Sequence, residues 1–391
     1  MTRTDHDVYE PLSGSPEQED LDTLAQLALR QRGFRWRNEG VVRTEVHDRT
    51  ISLLHDVAKE VMLQGEPLFF MERNKRGSSI RSSLLGQRLV QVISADFDQI
   101  QADYPLHQFS PVFMIFLRFR RRLPLNPSSF FDRLWPSEIA EKILPATLRL
   151  LELLRRMLGR EALKTANENF RRGAMDNFNG LIDAIDWLSQ RRTFVTVLRF
   201  DLHYCKIGSQ PVRFGDEPNL GVLDEFMGYR ERFHRSLDRR FGATLWGYAW
   251  VLEYGRERTF HLHYLVMLDP RRHEDHKGLV DMLGEKWKVL TEGRGEIYNC
   301  NAKKRTYRYS AVGQVRLDDP AAVKGLYFIV SYMTLAPLFV KLDIQKRFHT
   351  FAKGRFPKAA DPKVGRPRHR APGSRIKISV AEARASYLNF L

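Results

Sequence analysis

Residues 260–267 read FHLHYLVM, and this segment limits what the chain can fold into more than any other. On a β-strand alternate side chains share a face. His261 and His263 therefore project together, about 7 Å apart along the strand, while Leu262 enters the core behind them. Two imidazoles at that separation can share one metal ion. Residues 245–254, LWGYAWVLEY, are aromatic and aliphatic and read as a second strand. The polar, glycine-containing stretch 255–259 reads as the hairpin loop between the two. Glu253 has the parity of the histidines, so pairing it opposite His261 would gather all three side chains on one face. Two imidazoles and a carboxylate make a divalent-metal site with open positions. The alternative for Glu253 is a strand-end carboxylate facing solvent.

The flanking segments supply a frame for this hairpin. Residues 193–203 read as another strand, with Arg199, Asp201 and His203 at alternate positions; such a polar face either lines a site or meets water. Residues 223–241 have helical spacing through Leu223, Phe226, Phe233, Leu237 and Phe241. The other face of that helix carries Arg230, Arg232, Arg235, Arg239 and Arg240, which taken alone is an ordinary solvated face. Residues 276–290 read as a second helix and 307–317 as a strand. Residues 320–335 read as a third helix, with Asp318 or Asp319 near its start and Pro337 beyond its end. That helix bears Tyr327 and Tyr332. Five residues correspond to about 500° of helical turn, so only one of them is expected to reach a common site. A tyrosine can be a covalent nucleophile; the usual fate of a helical tyrosine is packing.

The order of these elements resembles the HUH endonuclease superfamily of rolling-circle replication initiators and relaxases, and most of all the inovirus (filamentous-phage) gene-two replication protein family. The likeness covers about residues 190–356. It is carried by residues 194–198, Glu253, the His261-Leu262-His263 run, residues 331–334 (SYMT), and residues 346–351 (KRFHTF). The resemblance implies an α+β fold: a central antiparallel sheet flanked by helices, with the histidines on a middle strand and the tyrosine on a facing helix. It implies Mg²⁺ or Mn²⁺ as cofactor, held by His261 and His263 with Glu253 as third ligand. It implies Tyr332 as nucleophile, with Tyr327 as the second candidate, and a 5′-phosphotyrosyl product. Two departures stand out. Ser331 and Leu335 occupy places where many relatives carry lysine, and Lys341 is the next cation along. Relatives with two working tyrosines space them four apart, so the spacing here points to one.

Composition fits a polyanion partner. The net charge is +16 and the pI near 9.9, which favours nucleic acid first. Cys205 and Cys300 are the only cysteines and have no ligand spacing, so neither a disulfide framework nor a structural zinc is expected. No apolar run approaches the ~18 residues of a membrane span, and the acidic start of the chain does not read as a signal peptide. These features lead to a reducing cytosol as the expected location, and the resemblance implies that of a bacterial host cell. Residues 1–40 begin poor in apolar residues and read as mostly disordered. Residues 41–190 read as a mostly helical domain, through apolar spacing in 50–64, 139–157 and 176–188. Its expected role is recognition of duplex origin DNA, or else packing and dimerisation. Residues 191–356 form the endonuclease-like domain, and 357–391 a basic tail. Residues 341–375 contain eleven Lys or Arg, two Asp, and Phe348, Phe351 and Phe356. Cations that meet phosphate and aromatics that stack on unpaired bases suit single-stranded DNA. Arg199, Lys341, Lys346, Arg347, Lys353, Arg355, Arg366 and Arg368 are the expected DNA contacts. The Gly-Arg-Pro-Arg run at 365–368 resembles a minor-groove AT-hook core.

The leading expectation is a metal-dependent DNA nickase that starts rolling-circle replication of a phage or mobile element, with host replication proteins as further partners. The first alternative is a DNA-binding protein that keeps the fold without cleavage. The second is an unrelated metal hydrolase using the histidines with Asp201 or Glu253.

Overall fold

The computed structural model describes residues 12–13, 25–26, 28–29, 43–123 apart from 64, 66 and 76, and then 134–204, 220–255, 259–303, 311–344, 347–356 and 374–375. The chain forms two compact units. One comprises residues 29–174 and 337–343; the other comprises 1–28, 175–336 and 344–391. The division falls inside a long helix, at 174/175, rather than at residues 190–192.

The first unit begins with α1 (Arg43–Leu63), whose Ile51, Leu54, Val57 and Val61 are buried. A β-hairpin follows, β1 (Phe69–Asn74) and β2 (Gly77–Ser82). Next come α2 (Leu84–Ile93), α3 (Phe97–Asp103), the short strand β3 (His107–Phe109) and α4 (Pro111–Arg120). The strand β4 (Leu134–Trp135) pairs with β2 and leads into α5 (Ser137–Leu158). This unit is therefore not helical throughout. Its strands escape a reading based on helical periodicity because they are short and carry polar residues. Met62 and Leu148, apolar residues of the stretches 50–64 and 139–157, are exposed.

The helix α6 (Glu161–Ser189) enters the second unit and delivers the chain to β5 (Phe194–Tyr204). Then come α7 (Leu220–Phe241), β6 (Leu245–Gly255), β7 (Thr259–Leu268), α8 (His276–Leu290), β8 (Gly295–Asn299), β9 (Gly313–Arg316) and α9 (Pro320–Thr334). Asp275 caps α8 by accepting from Gly278 N–H at 2.9 Å. Asp319 caps α9 through Ala321 N–H at 3.0 Å, with Pro320 in the first turn; a proline there loses no helical hydrogen bond. The strand β10 (Val340–Leu342) pairs with β3 in the first unit. The strand β11 (Phe351–Gly354) then closes the edge of the sheet beside β6.

All pairings in the central sheet are antiparallel, in the order β9–β5–β7–β6–β11, with β8 paired to the second half of β5. The chain is thus α+β. One face of this sheet carries the even-numbered residues of β5 and β7, and α7 and α8 cover it. There Phe200 stacks on Tyr264 at 5.2 Å between ring centres, while Phe233 meets both Tyr264 and Trp287 edge-on. Trp287 Nε1–H donates to the carbonyl of His203 at 2.8 Å. A Cβ on Gly284 would collide with Ile297, so glycine lets α8 lie close on β8. Burying each of these large side chains is worth about 1.5–3 kcal/mol. The opposite face, carrying the odd-numbered residues, is approached by α9 and the end of α6, where the Tyr327 hydroxyl donates to Asp186. Among the described residues no helix is long and apolar enough to cross a membrane.

Candidate metal centre

The register of the hairpin decides what the odd face presents. Glu253 on β6 pairs with His261 on β7, His261 pairs with His203 on β5, and His263 pairs with Asp201. Strand alternation then turns all five side chains to the same side. Glu253, His261 and His263 are buried, and one ligand atom from each lies within 4.8 Å of the others. His263 Nε2 is 3.1 Å from Glu253 Oε2, and His261 Nε2 is 3.7 Å from the same oxygen.

The remaining nitrogen of each ring has a partner that assigns its tautomer. His261 Nδ1 lies 3.1 Å from the carbonyl oxygen of Thr259. A carbonyl only accepts, so Nδ1 carries the hydrogen and Nε2 keeps its lone pair. Thr259 holds this position at φ 53°, a left-handed conformation that a β-branched residue adopts only at a cost of roughly 1–3 kcal/mol. His263 Nδ1 lies 2.6 Å from Asp201 Oδ1 and 3.0 Å from Arg199 Nη2. One Nδ1 cannot both donate to Asp201 and accept from Arg199, and the shorter contact is the one to the Asp201 carboxylate. Donation from Nδ1 to Asp201 is therefore the consistent assignment. Burial lowers the pKa of His261, against the opposing hydrogen bond and charge of Glu253, so its imidazole stays neutral to lower pH than an ordinary histidine.

Two neutral nitrogen lone pairs directed at one carboxylate repel one another unless a cation is shared between them. That is the test of fit, and the three residues meet it. Ligands bound to one divalent ion at about 2.1 Å stand roughly 3 Å apart, the scale of the His263–Glu253 separation. Asp201 approaches the Nδ1 side of His263, so it backs a ligand rather than joining the set.

Tyr332 on α9 places its ring 5.4 Å from that of His263, edge-on. Tyr327 is directed elsewhere, to Asp186. His203 stacks on His261 at 5.4 Å. Among the described residues, the cations expected to meet DNA have partners of their own. Arg199 is buried and held by Asp201 and by the Phe200 carbonyl. Lys341, in the first unit, lies 4.0 Å from the centre of the Phe170 ring, and burial lowers its pKa. Arg347 pairs with Asp224 at 2.7 Å, Lys353 donates to Gly180 O at 2.6 Å, and Arg355 pairs with Asp238 at 3.0 Å. Lys346, Arg366, Arg368 and Cys205 lie outside the described residues, as does the basic tail apart from residues 374–375. Sequence reasoning missed the Thr259 carbonyl and the Asp186 partner of Tyr327. Neither leaves a signal in residue spacing. Comparison of the chain with known family models, with curated proteins and with solved structures returns no match in any of the three.

Proposed function

We propose that the second unit is a metal-dependent DNA nickase of the rolling-circle type, in which Tyr332 attacks a scissile phosphate. The observation that carries this reading is the Tyr332 ring packed edge-on against His263, itself part of a buried Glu253–His261–His263 set. Glu253, His261 and His263 would hold Mg²⁺ or Mn²⁺. When bound, such an ion supplies Lewis-acid polarisation of a phosphoryl oxygen. Asp201 and the Thr259 carbonyl keep both imidazoles in the ligating tautomer. The Tyr332 phenol oxygen forms a bond to phosphorus, and the bond from phosphorus to the 3′ oxygen breaks. The phenol gives up its proton, and the departing 3′ oxygen gains one. The strand is left with a 5′-phosphotyrosyl end and a free 3′-hydroxyl able to prime synthesis. Single-stranded DNA at the nick, a duplex origin, host replication proteins and the bacterial cytoplasm complete this reading.

A second reading is favoured by burial. Tyr332 is 8% exposed and His263 is fully buried, and a phosphate must reach both. A DNA-binding protein of the same architecture without cleavage would have no need of that access. Incubating the full chain with single-stranded DNA and Mn²⁺, followed by a denaturing gel, separates the two. The nickase reading expects a covalent adduct whose peptide map ends at Tyr332; no adduct on either tyrosine with suitable DNA leaves the binding reading.

A further inference from the structure

Arg199 belongs to the polar face of β5 yet is only 4% exposed. Nη1 donates to the Asp201 carboxylate and, at 2.8 Å, to the Phe200 carbonyl. Nη2 lies 3.0 Å from His263 Nδ1, a close contact and not a hydrogen bond when Nδ1 carries its hydrogen toward Asp201. The guanidinium carbon stands 5.7 Å from the centre of the Tyr332 ring, within cation–π range. The backbone beneath is clamped too. Arg199 N–H donates to Asn301 Oδ1 at 2.8 Å, and the Asn301 amide donates to Val197 O at 2.8 Å. A buried guanidinium is costly unless it is paired and hydrogen-bonded. Here its planar fork is fixed by groups that also touch the metal ligands and the tyrosine.

We propose that Arg199 is a positioning residue that couples the His263 imidazole to Tyr332 and makes no contact with DNA. The inference rests on the reading of the site given above. On one side the guanidinium orients the Asp201 carboxylate, which accepts the His263 Nδ1–H and leaves Nε2 as a lone pair beside Glu253. On the other side it lies against the ring of Tyr332. One rigid group thereby sets both the ligand and the attacking side chain. A lysine would keep the charge, but as a point charge without the plane and fork that serve both sides at once.

The test uses the full chain with R199K, R199M and D201N. Nitrogen-15 NMR of the metal-free protein reports the His263 tautomer, a titration reports Mn²⁺ affinity, and single-stranded DNA binding is measured separately from kcat and KM of nicking. R199K is expected to keep the fold and to bind DNA within about twofold of the parent, since affinity is mainly phosphate contact. It should lose the uniform Nδ1–H signature of His263. Mn²⁺ affinity should fall about 10- to 100-fold, the scale for disturbing the partners of metal ligands, and kcat should fall at least about tenfold with KM unchanged. D201N presents an amide N–H to His263 Nδ1 and should shift the tautomer in the same direction. If R199M fails to fold, R199K still decides. An unchanged His263 tautomer and Mn²⁺ affinity in R199K would overturn the proposal. So would weaker DNA binding with unchanged Mn²⁺ affinity, which would make Arg199 a phosphate contact. Absence of nicking by the parent chain would remove the nickase reading, while the NMR and Mn²⁺ results would still judge the role of Arg199.

Discussion

The two faces of the central sheet are made by the same strands and are built on opposite principles. Along β5 the even positions carry Leu198, Phe200 and Leu202, and the odd positions Arg199, Asp201 and His203; all six are buried. The even face meets α7 and α8 through aromatic packing, which lowers the free energy of the fold even though it buries the Tyr264 hydroxyl. The odd face buries two carboxylates, a guanidinium and three imidazoles, which is tolerable only because each is held by the others. A protein seeking stability alone would have filled that face with aliphatic residues, since replacing buried ion pairs by packed apolar groups is often neutral or stabilising. The difference sets the group that could hold a metal ion on the odd face and aromatic packing on the even one.

Substitutions should divide along this line. If the proposed nickase reading holds, replacing His261 and His263 together with alanine is expected to reduce nicking by at least about 10³-fold, because a cation held there would supply several kcal/mol. The thermal midpoint should fall as well, because two buried side chains are truncated and Glu253 loses its neighbours, while DNA affinity should change little; nicking that survives in the molecules still folded would erase the contrast between the faces. Tyr332→Phe should lose the covalent adduct while keeping the fold, and Tyr327→Phe should retain the adduct. Tyr327→Phe should instead lower stability by about 1.5–3 kcal/mol, through loss of a hydrogen bond to the charged Asp186. Denaturant melts of both variants, together with peptide mapping, check this, and an adduct on Tyr327 would reverse the assignment. On the even face, Phe233→Ala should cost about 3–5 kcal/mol yet leave nicking per folded molecule unchanged. Altered turnover at low temperature, where the variant is folded, would show that the faces are not independent. Deletion of residues 357–391 should have the smallest effect, a weaker DNA affinity with a flatter dependence on salt.

Much of the odd face was legible in the sequence, because strand alternation is a rule of period two. Equal parity of Glu253, His261 and His263 sufficed to place them together, given the short loop that fixes the register. The helices at residues 276–290 and 320–334 announce themselves through apolar spacing, aspartate caps and a proline. What stayed hidden depends on contacts between distant parts of the chain. Asp186 lies 141 residues before Tyr327, and spacing carries no trace of that pairing. Arg199 reads as a phosphate-binding cation until its burial and its bond to Asp201 are known. The strand β8 is five residues long with half-buried sides, too short for its alternation to stand out. The left-handed backbone at Thr259 runs against the preference of its residue type, so propensity points away from it.

The central claim is that Glu253, His261 and His263 form a metal centre on the polar face. Calorimetric titration of the metal-free full chain with Mn²⁺ tests it without knowledge of the DNA target. The parent chain should bind one ion, and the His261→Ala, His263→Ala double variant, folded by circular dichroism, should show no binding at that site. Equal Mn²⁺ binding by the two chains would contradict the account.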